Sequence, residues 1–224
     1  LGGTFWRELV GGWRYLRGRH GLRVLVIYFT LMNFLLNGPL ELSIPYLMTI
    51  TDSETITGLV LAANSLGGFV GAGVLAARGS RRGQRPRIHT IMPALLVVGV
   101  MFLLHGTTRS PLVLALSIFT LIAALQVWAL YTSILQVKTP PDMQGRIFAI
   151  VNQLGYLGAT ASFLLVGPLV DNVLEPAVGS PTWNAVAPLV GSAPGAGMGL
   201  VLVAAGGIII ALTLAVYRRA VAPL

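Results

Sequence analysis

Six long apolar stretches confine this chain to one kind of solvent. They run over residues 22–48, 56–77, 88–104, 111–136, 147–170 and 198–217. A helix rising about 1.5 Å per residue needs about 20 predominantly apolar residues to cross a hydrocarbon core of about 30 Å. The third stretch is the shortest, and the first has residues to spare for tilt or a break. Of the 224 residues, 55% are hydrophobic and 10% charged, against about a quarter charged in a soluble domain. No water-soluble core of this size hides so much apolar surface, and disorder is excluded for the same reason. Strands of a membrane barrel would alternate over segments of about ten residues. The expected fold class is therefore all-α, a polytopic membrane protein with six transmembrane helices.

The charges give an orientation. Arg7, Arg14, Arg17, Arg19 and Arg23 precede or open the first stretch. Arg78, Arg81, Arg82, Arg85 and Arg87 lie between the second and third. Lys138 and Arg146 separate the fourth from the fifth, and Arg218 and Arg219 follow the sixth. Of the 15 Lys and Arg residues, Arg109 alone falls in an odd-numbered connection, where Asp52, Glu54, Asp171 and Glu175 also lie. The positive-inside rule then places both termini in the cytoplasm, in a multi-pass protein of the plasma (cytoplasmic) membrane. The net charge of +8 is explained by this loop asymmetry and by anionic headgroups, so no nucleic-acid partner is expected.

Residues 1–21 read as a cytoplasmic amphipathic linker: Phe5, Leu9, Trp13 and Leu16 recur at helical spacing, with Arg7, Arg14 and Arg17 elsewhere on the wheel. A six-helix domain over 22–217 and a cytoplasmic tail over 218–224 complete the organisation. The first residue is Leu1 rather than Met, which predicts that the sequence continues upstream. The longest connection, Asp171 to Gly197, carries Pro176, Pro181, Pro188 and Pro194 with Gly179, Gly191 and Gly195, and is predicted not to form a long helix. It reads as a passive connector or as a cap over the outer mouth of a pathway.

Chemistry inside the membrane concentrates in the first stretch. Asn33, Asn37 and Glu41 are four residues apart and share a helix face. Pro39 and Pro45 interrupt the same segment, and broken helices with polar groups are a recurring way to build a transport path. A carboxylate at the bilayer centre costs about 2.5–3.5 kcal/mol or more. Glu41 is thus either a protonatable or cation-recognising group on a substrate path, or a carboxylate close enough to the outer surface to reach water. Gln126 and Ser133, seven apart, and Asn152 and Tyr156, four apart, are further candidate cavity linings, with Trp128 and Tyr131 as aromatic surface for an apolar ligand. Bonding between helices is the alternative use of these polar groups. Ala63, Gly67 and Gly71 make a small-residue face in the second stretch, suited to close helix packing.

The chain has no cysteine, and His20, His89 and His105 are far apart, so neither a metal site nor a cofactor is expected. No nucleotide-binding loop, catalytic triad or carboxylate pair is legible, and no enzymatic activity is expected.

Two loops carry a resemblance. Gly73-Val-Leu-Ala-Ala77-Arg78-Gly-Ser80-Arg81-Arg82 resembles the signature of the major facilitator superfamily, a Gly, three residues, an Asp, then Arg-x-Gly-Arg-Arg. Ala77 replaces the acid, which in the family latches a neighbouring helix N-terminus, and Ser80 replaces the second glycine. Pro140-Pro141-Asp142-Met143-Gln144-Gly145-Arg146-Ile-Phe148 resembles the turn before the penultimate helix of macrolide-efflux-like members. Gly167-Pro168-Leu169-Val-Asp171 with Glu175-Pro176 is similar to the outer end of that helix. Phe5-Trp6-Arg7 through Gly12-Trp13-Arg14-Tyr15-Leu16 is similar to the subgroup's central linker.

The resemblance implies the carboxyl-terminal half of a twelve-helix transporter, whose partner is a missing amino-terminal six-helix half. It also implies a gating role for Gly73, Arg78, Arg81, Arg82, Asp142, Gly145 and Arg146. The whole protein would then export a small amphipathic drug, such as a macrolide, in exchange for protons by alternating access. Glu41 has no counterpart in the resemblance, and its candidacy for proton coupling rests on the residues alone. The alternatives are a siderophore or metabolite exporter, or a six-helix scaffold or partner subunit that does not transport.

Overall fold

The computed structural model describes the backbone of residues 11–81 and 88–221 and the side chains of 11–78 and 89–218. Residues 1–10 of the expected linker lie outside the described residues; helix α1 occupies 11–17. Then follow α2 (His20–Glu41), α3 (Ser43–Thr51), α4 (Glu54–Arg81), α5 (Ile88–Thr107), α6 (Pro111–Leu125), α7 (Trp128–Lys138) and α8 (Pro141–Leu169). A π-turn over Val170–Leu174 leads to α9 (Glu175–Ala177), a 3-10 turn over Pro181–Ala185, α10 (Ala187–Val190) and α11 (Ala196–Val221). Six helical segments are long and apolar enough to cross a membrane: His20–Thr51, Glu54–Arg78, His89–Thr107, Pro111–Lys138, Pro141–Ala177 and Ala196–Arg218.

Local chemistry sets the starts and stops. Pro111 and Pro141 open α6 and α8, where a missing N–H costs nothing. Asp52, at φ 46°, takes the left-handed conformation that ends α3. The first span is interrupted at Leu42. Pro39 denies the Leu35 carbonyl its donor, and Pro45 does the same to Glu41, so the ladder is weakened on both sides of the interruption. The fourth span is interrupted without proline. Gln126 and Val127 donate to Ala123 and Ala124 (3.4 and 3.3 Å), and Ala129 and Leu130 to Gln126 and Val127 (3.2 and 2.9 Å), a tight 3-10 passage.

Three helix pairs hold the bundle together. α2 packs along α8, α4 along α6, and α5 along α11. In the first pair, the Gly38 N–H donates to Ser162 Oγ at 3.0 Å, and Gly158 lies against the Thr30 carbonyl. In the second, Gly67 abuts the Phe119 backbone and Gly71 that of Ala123, so the Ala63, Gly67 and Gly71 face does pack helix on helix. In the third, Gly99 meets Gly206 and Gly106 meets Gly199, an antiparallel approach repeated two turns apart. Tyr28 ties α2 to α11 through Thr213 Oγ1 at 2.9 Å, in a buried position. Met32, Phe102, Leu114, Leu121, Leu135, Leu202 and Ile209 fill the centre.

This pairing is an inverted repeat. Spans one to three and four to six exchange under a two-fold operation: pair α2·α8 maps onto α6·α4, and α5·α11 onto itself. The interruptions obey the same relation, since α3 and α7, the pieces beyond them, have 9 and 11 residues. Burial follows it in two of the three span pairs: the second and fifth are each 17% buried over their most apolar part and the third and sixth 44%, while the first and fourth differ at 39% and 28%.

The 171–197 connection forms no long helix and carries a small core of its own, with Trp183, Val190, Ala196 and Val203 buried together. Trp183 donates its indole N–H to the Gly191 carbonyl at 2.8 Å. The π-turn aims Glu175 at the start of α11, where its carboxylate accepts from the N–H groups of Gly195, Gly197 and Met198 at 3.3, 3.0 and 3.3 Å. Arg109 reaches the carbonyls of Ala193 and Pro194 at 3.2 and 3.0 Å. A carboxylate on otherwise orphaned N–H groups at a helix N-terminus is stabilising. Glu175→Ala should therefore cost about 1–2 kcal/mol and lower the thermal midpoint by several degrees, with Glu175→Gln intermediate. An unchanged midpoint in a detergent melting assay would show that the cap contributes nothing.

Candidate functional site

The polar ladder of α2 is bound to its own helix. Asn33 donates to the Phe29 carbonyl at 3.0 Å. Asn37 donates to the Asn33 carbonyl at 2.7 Å and approaches its Oδ1 at 3.5 Å. Such bonds to the preceding turn compete with the backbone ladder and bend a helix, and they lead up to the interruption at Leu42. Both amides are half-buried, whereas Glu41 is exposed and has no ion-pair partner among the described residues. Glu41 stands five residues before Tyr46, whose hydroxyl donates to the carbonyls of Gly106 and Thr108 at the end of α5 (3.2 and 3.0 Å), so it lies about 8 Å along the helix from that end of the bundle.

α8 extends this polar strip. Gly155 faces α2, with Asn33 Nδ2 3.5 Å from where a Cβ would stand. Asn152 and Tyr156 flank it on exposed surface, Tyr156 at 72%. The structure thus sets Asn152 and Tyr156 of α8 at the level of Asn33, whereas Gly38 already meets Ser162, so Glu41 lies further along the pair and apart from them.

The fourth span supplies the aromatic part. Phe29 stacks on Trp128 and Tyr131 with centroids 4.2 and 4.3 Å apart. Tyr131 is buried and donates its hydroxyl to the Leu25 carbonyl at 3.3 Å, so it stands behind the strip rather than on it. Ser133 is half-buried on α7. Gln126 lies elsewhere: it donates to the Ile122 carbonyl at 3.3 Å and lines a separate cleft between α4, α5 and α6.

The loop motif residues sit at the arginine-rich end of the bundle. Asp142 occupies the first turn of α8, where a negative charge suits the helix dipole. Gly145 and Gly73 have open space around them, and Arg146 lies beside Gly11 and Gly12 of α1. Arg78 is exposed on α4. The Arg81 side chain and Arg82 lie outside the described residues.

The sequence raises His105 only as a possible metal ligand. It is buried, with Nδ1 2.7 Å from Ser117 Oγ, and Ser117 in turn donates to the Leu114 carbonyl at 2.8 Å. No partner for Nε2 is found among the described residues. The available signal was a titratable residue in the last turn of an apolar span.

Six spans paired as in an inverted repeat, with the first kinked at Leu42 beside polar groups and the fourth kinked at Gln126–Val127, fit the architecture of secondary transporters. The family model of the Major Facilitator Superfamily matches residues 2–163. The chain belongs to the Major Facilitator Superfamily. Neither a curated protein nor a solved structure matches it. The family and the six apolar helices together make this a multi-pass membrane protein of a transporter family. Superfamily members carry two six-helix halves, each a nested three-plus-three inverted repeat, and the described helices supply one such unit.

Proposed function

We propose that the chain is the carboxyl-terminal half of a twelve-helix secondary transporter that exports an amphipathic, macrolide-like compound in exchange for protons. The observation that supports this reading is the first span kinked at Leu42, with Asn33, Asn37 and Glu41 on its polar face, and a kinked counterpart in the fourth. Asn33, Asn37, Asn152 and Tyr156 supply hydrogen-bonding groups to cargo, the Phe29–Trp128–Tyr131 stack gives the wall its stiffness, and Glu41 carries the proton. The thinly buried second and fifth spans, with Phe69 and Leu164 largely exposed, offer the surfaces on which an amino-terminal half would close. The loop over 140–148, similar to macrolide-efflux members, supports export, and the arginine-rich end supports cytoplasmic termini in the plasma membrane.

The test uses single cysteines in a cysteine-free full-length protein. Asn37→Cys should react with a membrane-impermeant maleimide and be slowed by erythromycin, whereas Ile208→Cys, on the exposed side of α11, should not react. An inert Asn37→Cys, or equal rates at the two positions, would place α2 outside any aqueous path and end the proposal.

A further inference from the structure

The cleft that Gln126 lines has a different character from the polar strip. Consecutive helices α4 and α5 each pack on α6 and have little direct contact with one another. Gly67 and Gly71 draw α4 onto the α6 backbone, and α6 presents Thr120, Ala123 and Ala124 to the space that remains, with Gln126 and Val127 just beyond. The result is a cavity of about 450 Å³, within the range of about 300–1,000 Å³ typical of small-molecule sites. None of its lining residues belongs to α2 or α8, so it is separate from the proposed path.

Its walls are mostly apolar, broken by Thr90, Thr120 and Gln126, and basic at one end. Val70 and Val74 on α4 face Pro93 and Val97 on α5, and the three valines are exposed. Arg78 and His89 stand at the mouth. Val70 and Val97 each lie eight residues from the basic group on their own helix, about 12 Å along the axis. One leaflet's share of a 30 Å core is about 15 Å, so the wall matches one acyl chain in one leaflet. Arg78 has no ion-pair partner among the described residues, and the connecting sequence adds Arg81, Arg82, Arg85 and Arg87. The positive end of the α5 dipole begins at Ile88, at the same level. The valine, alanine and proline surfaces suit an acyl chain, and basic pockets between transmembrane helices attract anionic headgroups.

We propose that this cleft binds one anionic phospholipid from the leaflet at the arginine-rich end, with its phosphate on Arg78 and His89 and an acyl chain between α4 and α5. The lipid fills a gap that the protein's own side chains leave open and ties α4 to α5.

Native mass spectrometry on the full-length protein in detergent tests this with dioleoyl phosphatidylglycerol and the matching phosphatidylcholine. One phosphatidylglycerol should remain bound under conditions that strip phosphatidylcholine. Arg78→Gln should weaken its binding about tenfold, and Arg78→Lys should recover most of it. Val97→Trp should lower retention of any lipid by filling the wall, and glycerol 3-phosphate alone should not bind. Equal retention of the two lipids, equal retention by wild type and Arg78→Gln, or displacement of phosphatidylglycerol by tetraphenylphosphonium would overturn the proposal; displacement would assign the cleft to cargo.

Discussion

Glu41→Gln is expected to abolish most pH-gradient-driven export by the full-length protein while leaving insertion and folding intact. A carboxylate within a membrane span is costly unless it reaches water or a partner, and Glu41 has no cation beside it among the described residues. Glutamine keeps the shape and hydrogen bonding but cannot carry a proton. The rate in proteoliposomes should fall at least about tenfold, equivalent to about 1.4 kcal/mol in the barrier. Substrate binding in the absence of a gradient should change far less. Glu41→Asp should retain part of the coupled rate because it still titrates. Wild-type export by Glu41→Gln with wild-type pH dependence would remove this residue from the mechanism.

Gly71→Leu is the substitution expected to damage the fold most. A Cβ at this position would come within 2.6 Å of the Ala123 Cα and 2.8 Å of Gln126 Cγ. The nearer obstacle is backbone, which cannot step aside as a flexible side chain does. Overpacking of this kind costs about 1–3 kcal/mol and sometimes more, and here it also forces apart one of the three helix pairs. Low monodisperse yield and a clearly reduced thermal midpoint are expected. Gly58→Leu on the same helix, where an added Cβ meets nothing within 4 Å, should leave the midpoint unchanged. Equal behaviour of the two variants would mean that the α4–α6 approach is not tight.

Hydropathy made the six spans legible, because a run of apolar residues long enough to cross lipid has few other uses. The interruption of the first span was also legible, since Pro39 and Pro45 remove donors wherever they stand in a helix. The interruption at Gln126–Val127 was not: Leu125-Gln126-Val127-Trp128 contains neither proline nor glycine, and only the inverted repeat gives it meaning. Gln126 and Ser133 are seven apart in sequence, yet Gln126 lines the α4–α5–α6 cleft and Ser133 does not. Tyr131 looked available for a ligand because sequence shows a hydroxyl but not its partner, the Leu25 carbonyl. Likewise, spacing alone does not reveal that His105 meets Ser117 across two helices. The strip shared by α2 and α8 was half visible: each four-residue pair could be read, but their meeting at Gly155 depends on tertiary packing.

The paired glycines of α5 and α11 carry a mechanical consequence. Backbone touches backbone at Gly99–Gly206 and again at Gly106–Gly199, with Phe102, Leu202, Val203 and Ile210 packed around the two points, so the helices have little room to slide. Two fixed points on one seam also prevent rotation about either. Any rearrangement of this six-helix unit is therefore expected mainly in the four remaining spans. The α5–α11 pair becomes the stationary keel about which they turn.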